Sequence, residues 1–192
     1  MTKKTNTLTK IALVAALQCI ISPFAIVLPM SPVPMSLATL MLYLSVYILG
    51  KRHAVISCGI YLLIGFVGLP VFSGFTGGAG KLLGPTGGYL IGYPVLMYIG
   101  GWFVEKWSGT NGAGVRSGGR NYCILQGLGL ALGTAACYLL GTLWLSYQAK
   151  IDLMAALSIG VLPFVIGDVV KIVIAVSVGN VVRKRLLKAG MM

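Results

Sequence analysis

Apolar residues run through the chain in six long stretches, separated by short polar or Gly/Pro-rich breaks. The stretches are roughly Leu8–Leu28, Met35–Gly50, Ala54–Leu69, Gly88–Val104, Tyr122–Leu143 and Leu153–Val182. A helix needs about 20 apolar residues to cross a bilayer. The second and third stretches are short for that, and are expected to be tilted, broken or sheltered by neighbours. Pro29, Pro32 and Pro34 break the chain after the first stretch, and Lys51-Arg52-His53 separates the second from the third. Gly68–Gly88 is rich in Gly and Pro, Glu105–Asn121 is polar, Trp144–Asp152 is a short bridge, and Arg183–Lys188 is basic. The pattern predicts an all-α integral membrane protein, a six-transmembrane-helix bundle forming a single domain over residues 1–192.

Composition agrees with that expectation. The chain of 192 residues is 57% hydrophobic and 9% charged, whereas a soluble domain carries about 25% charged residues. It is too short for the two inverted halves of many secondary transporters. The apolar stretch after Met1–Lys10 lacks a small-residue cleavage site and is expected to be the first membrane helix rather than a signal peptide. Cys19, Cys58, Cys123 and Cys137 all lie in apolar stretches without a C-x-x-C pair, and read as small buried hydrophobes.

A net charge of +12 would suggest nucleic acid in a soluble protein. Here the positive residues fall in short loops and tails. With the N-terminus in the cytoplasm, twelve lie on that side: Lys3, Lys4, Lys10, Lys51, Arg52, Lys106, Arg116, Arg120, Arg183, Lys184, Arg185 and Lys188. Lys81 and Lys150 lie on the other side, and Lys171 falls inside the last stretch. The positive-inside rule therefore puts both termini in the cytoplasm and Gly68–Gly88 outside. Membrane lipid surrounds such a chain, and no nucleic-acid partner is expected.

Asp168 and Lys171 are the only charges in Leu153–Val182. Each costs about 2.5–3.5 kcal/mol at the centre of a membrane helix. Three residues apart, they leave one helix face about 4.5 Å apart along the axis. Placed side by side, an acceptor and a donor suit an uncharged polar ligand that carries both a carbonyl and N–H groups. A structural ion pair and a proton relay are the alternatives.

The stretch Gly68–Gly88 is the second candidate. Its many glycines allow tight folding with free N–H groups, and Leu69, Val71, Phe72, Phe75, Leu82 and Leu83 make it too apolar for a merely solvated loop. It is expected to form an ordered lid over a pocket. Ala12 and Ala16, Gly88 and Gly92, and Gly129 and Gly133 each stand four apart, a spacing that lets helices approach closely. The chain has no phosphate-loop motif, because Leu82 follows Lys81 and Phe75 stands where the first Gly belongs. His53 is its only histidine and Glu105 reads as an interface charge, so no metal site and no catalytic constellation is expected.

The run GLPVFSGFTGGAGKLLGPTGGYLIGY, Gly68–Tyr93, resembles the signature of the BioY family, the biotin-specific S components of energy-coupling-factor (ECF) transporters. Gly167–Lys171, GDVVK, resembles the family's G-D-x-x-K. The resemblance extends over essentially the whole chain. It implies a biotin-binding subunit for uptake across the cytoplasmic membrane, with no cofactor and no catalysis. The pocket would lie near the outer surface, capped by the loop 68–88, with Asp168 and Lys171 on the ureido ring of biotin. Phe72, Phe75, Tyr89 and Tyr93 are candidate walls. Leu90 stands where some members carry Arg, so Lys81 and the N–H groups around Gly77, Gly78 and Gly80 become the candidates for the biotin carboxylate. The resemblance also implies a transmembrane coupling protein that recognises Ala12 and Ala16, and two cytoplasmic ATPase subunits. Another vitamin such as thiamine or riboflavin on the same scaffold, a small membrane enzyme using Asp168, and an assembly subunit without ligand are the competing expectations.

Overall fold

The computed structural model describes residues 3–26, 33–108 and 120–189. Pro29, Pro32 and Arg116 lie outside the described residues. The chain is mostly helical: α1 (Lys3–Ile21), α2 (Ala38–Val67), α3 (Ala79–Leu83), α4 (Gly87–Lys106), α5 (Arg120–Ala149), α6 (Leu153–Gly160) and α7 (Leu162–Lys188). One short ribbon interrupts the helices. Ala25–Ile26 (β1) pairs antiparallel with Met35–Ser36 (β2), in the register Ala25 to Ser36. The purely helical expectation is corrected to that extent.

Three described helices, α2, α5 over Asn121–Ala149, and α7, are long and apolar enough to cross a membrane. In α2, however, that length joins two segments. Gly50 has φ 74° and ψ 170°, far from helical values. A straight helix over residues 38–67 would separate its ends by about 44 Å. Yet Leu37 N–H donates to Phe24 O at 3.1 Å, and Gly74 N–H donates to Pro23 O at 2.9 Å. The seven residues from Val67 to Gly74 span roughly 25 Å at most. The chain must therefore fold back at Gly50, and the second and third apolar stretches are the two arms.

The bend is held by Glu105 of α4. Its Oε1 accepts from the Lys51 N–H at 2.7 Å, and its Oε2 lies 3.5 Å from Lys51 Nζ. The carboxylate thus caps the start of the second arm, where the helix leaves N–H groups unpaired. A Cβ at Gly50 would sit 2.7 Å from the same oxygen, in a left-handed conformation that side chains rarely adopt. Glu105 therefore acts as a structural cap, a role its sequence context did not show. Glu105→Ala is expected to destabilise the protein by about 1–2 kcal/mol, and Glu105→Gln by less, measured by thermal unfolding in detergent.

Helices α4 and α5 approach closely because glycine faces side chains across the interface. A Cβ on Gly92 would meet Cys137 Sγ at 2.8 Å, and one on Gly133 would meet Leu96 O at 2.7 Å. The Gly88/Gly92 and Gly129/Gly133 pairs are thus spent inside the bundle. The sixth stretch is also two helices. Val161 (φ −128°, ψ −56°) separates α6 from α7, and Pro163 stands in the first turn of α7, where its missing N–H costs nothing.

Residues 68–88 are folded. Phe72 and Thr76 exchange backbone hydrogen bonds of 2.9 and 3.3 Å around a tight turn in which Gly74 and Phe75 have positive φ. The Trp144 indole N–H of α5 donates to Gly84 O at 2.9 Å and ties the segment to the bundle.

A buried Asp–Lys pair at the floor of a cleft

Asp168 and Lys171 sit on one face of α7 with Nζ and Oδ1 2.9 Å apart. Their side chains are only 8% and 12% exposed, so neither is solvated by bulk water. Burial on this scale is tolerable only if every polar valence is occupied, and most are. Asp168 Oδ1 also accepts from Thr39 Oγ1 at 3.2 Å, while Oδ2 accepts from the Tyr138 hydroxyl at 2.5 Å. Lys171 Nζ donates to Ser36 O at 2.9 Å and Thr39 Oγ1 at 3.0 Å, besides Asp168. The network joins β2, α2, α5 and α7.

The pair borders an open cleft between β2, α2, α4, α5 and α7. Its polar edge is Asp168, Lys171, Thr39 and Thr134, and its walls include Tyr89, Tyr93, Leu96, Tyr138 and Phe164. A second cleft adjoins it and shares Val33, Pro34, Tyr89 and Tyr93. Its other lining residues are Phe72, Ser73, Lys81, Thr86 and Leu90. One chamber holds a paired donor and acceptor, and the other a single cation, Lys81. Burial lowers the pKa of the Lys81 ammonium from its ordinary value.

The sequence-expected residues divide into three groups. Asp168, Lys171, Tyr89 and Tyr93 line the first cleft, and Phe72, Lys81, Tyr89 and Tyr93 line the second. The Phe72 ring is fully buried against Tyr61, with centroids 5.5 Å apart. Phe75 departs from expectation. It has positive φ and is 61% exposed, and its ring lies edge-on to Phe24 at 5.6 Å in a separate groove that also borders Lys171. The three glycines also line neither cleft. Gly78 N–H is already donated to Gly65 O at 2.7 Å, Gly77 packs against Leu69 O, and Gly80 is exposed. Of these three backbone donors, the Gly78 N–H is taken up within the fold.

Four contributors were not visible in the sequence: Ser36 O, Thr39, Thr134 and Tyr138. Thr134 and Tyr138 stand four apart in an apolar helix, the spacing that puts both on one face. That is a weak signal which only packing makes specific. On α1, Ala12 and Ala16 are exposed, while Ile11, Val14, Ala15 and Gln18 turn inward.

Comparison with known proteins gives one consistent answer. The chain is 34% identical over 157 residues to "Biotin transporter BioY" of Thermotoga maritima, covering 82% of this chain and 85% of that protein. It is 34% identical over 177 residues to "Biotin transporter BioY2" of Lactococcus lactis subsp. cremoris, covering 92% and 89%. Among solved structures it resembles the S-component for biotin from an ECF-type ABC transporter, with a TM-score of 0.83 and 30% identity over 96% of this chain and 95% of that one. The BioY family matches residues 1–188, and the chain belongs to that family.

Proposed function

We propose that the protein binds biotin and serves its uptake across the cytoplasmic membrane as the substrate-specificity subunit of an ECF transporter. It is a transporter component rather than an enzyme, and biotin leaves it unchanged. The observation that carries the residue-level account is the buried Asp168–Lys171 pair at the floor of the cleft. A ureido ring offers N–H groups to Asp168 and a carbonyl oxygen to Lys171. All three Lys171 donors are engaged, so the carbonyl replaces one existing acceptor, for which Ser36 O is the uncharged backbone candidate. The fused rings lie against Tyr89 and Tyr93, and the valerate chain runs past Phe72 into the second cleft. There the carboxylate meets Lys81, next to Leu90.

In this account the chain is one domain over residues 1–192 with six spans: α1, the two arms of α2, α4, α5, and α7 with its α6 lead-in. Both termini are cytoplasmic, supported by the twelve-to-two distribution of positive residues. Residues 68–88 cap the site from outside. The outward-facing Ala12 and Ala16 receive a transmembrane coupling protein, which in turn carries two cytoplasmic ATPase subunits.

The test is a competition panel on detergent-purified protein. Biotin is expected to displace labelled biotin, and thiamine and riboflavin are not; tight binding of either with no response to biotin overturns the assignment. Lys81→Ala is expected to weaken biotin by about tenfold and to leave biotin methyl ester nearly unaffected. Affinity for biotin also depends on the Lys81 charge. It holds below the pKa of that ammonium and falls as pH rises through it, at lower pH than for an exposed lysine. An equal loss for acid and ester would remove Lys81 from the site.

A further inference from the structure

Thr39, Thr134 and Tyr138 border the first cleft, and the bonding pattern fixes where each of their hydroxyl protons goes. Thr134 Oγ1 lies 2.8 Å from Leu130 O and 2.7 Å from the Tyr43 hydroxyl. A carbonyl oxygen only accepts, so both bonds form only if Thr134 donates to Leu130 and Tyr43 donates to Thr134. By the same accounting Thr39 donates to Asp168 and accepts from Lys171, and Tyr138 donates to Asp168. These three hydroxyls therefore offer a ligand lone pairs only. Such a wall, beside the Lys171 donor, fits a head group that carries more than one donor.

The two N–H bonds of a cyclic urea diverge on either side of its carbonyl. Acceptors within one hydrogen bond of each other cannot serve both. Thr39 and Tyr138 lie 3.2 and 2.5 Å from Asp168 oxygens and so belong to the Asp168 side. Thr134 is bonded instead to Tyr43 and Leu130, is 5% exposed, and borders the same cleft one turn before Tyr138. The rings of Tyr89 and Tyr93 border both chambers and serve as walls along the fused rings, and the Tyr89 hydroxyl is bonded to Gly160 O.

We infer that Thr134 Oγ1 accepts the second ureido N–H and is a specificity-determining residue. It would distinguish a cyclic urea from a ring with no hydrogen at that nitrogen. The inference rests on the biotin reading above.

The experiment is titration of biotin, and of the two biotins methylated at one or the other ureido nitrogen, into wild-type protein and variants. Wild type is expected to lose affinity for both methylated forms. Thr134→Val is expected to bind biotin about tenfold more weakly and to penalise only one methylated form further. Thr134→Ser keeps the acceptor and should restore wild-type affinity. Tyr43→Phe/Thr134→Ala removes both partners of the buried bond, strands no donor, and should show the same loss as Thr134→Val if the single variant fails to fold. Wild-type biotin affinity in the Val or the double variant overturns the role of Thr134, as does an undiminished penalty for both methylated forms. Absence of biotin binding by wild type would instead overturn the function on which the inference rests.

Discussion

Asp168→Asn is expected to weaken biotin binding by about thirtyfold or more, and Lys171→Ala by a similar factor. Asp168 accepts from three groups, Lys171, Thr39 and Tyr138. An amide replaces one accepting oxygen by a donating NH2, which must face either the Tyr138 hydroxyl proton or the Thr39–Lys171 side. It also leaves the buried ammonium without its counter-charge. Lys171→Ala leaves a carboxylate that is 8% exposed with only neutral donors. Losing one partner of a buried, hydrogen-bonded charge pair costs about 2–5 kcal/mol in binding, and 2 kcal/mol is roughly thirtyfold. Both single variants should also lower folding stability, because each strands a charge. Asp168→Asn/Lys171→Met removes both charges, so it should recover much of the stability without recovering binding. Thermal unfolding and titration on the same samples separate the two effects. Wild-type affinity in either single variant would remove the pair from the site.

The second large effect is expected on a different surface. Ala12→Trp or Ala16→Trp should abolish co-purification with the coupling subunit while changing biotin affinity less than twofold. Both alanines are exposed on α1, on the side away from Ile11, Val14 and Ala15, which face the bundle. An indole there projects outward and fills the space that a close-packed partner helix would need. Neither alanine lines a cleft with Asp168 or Lys81. Unchanged co-purification would contradict the partner face, and lost biotin binding would mean the substitution had disturbed the bundle.

What the sequence made legible follows from the cost of burying charge. Asp168 and Lys171 stood out because nothing else on that stretch is charged, and the structure joins them at 2.9 Å. Thr39, Thr134 and Tyr138 did not stand out. Hydroxyls are ordinary in apolar helices, and only tertiary packing brings residues 39, 138 and 168 together. Phe72 and Phe75 are alike in sequence. Phe72 is buried, whereas Phe75, with positive φ in the 72–76 turn, is exposed. The bend in α2 was foreshadowed by Gly50 ahead of Lys51-Arg52-His53. Its cap from Glu105, 54 residues on, was not. A continuous apolar pattern across Val161 concealed the break between α6 and α7.

The proposed site reads a ureido ring through Asp168 and Lys171. Calorimetric titration of purified protein with biotin, and with a biotin analogue whose ureido ring has been opened, tests it most directly. Tight binding of biotin, and loss of that binding with the opened ring, are expected. Equal affinity for both, or no heat with biotin from demonstrably folded protein, would contradict it.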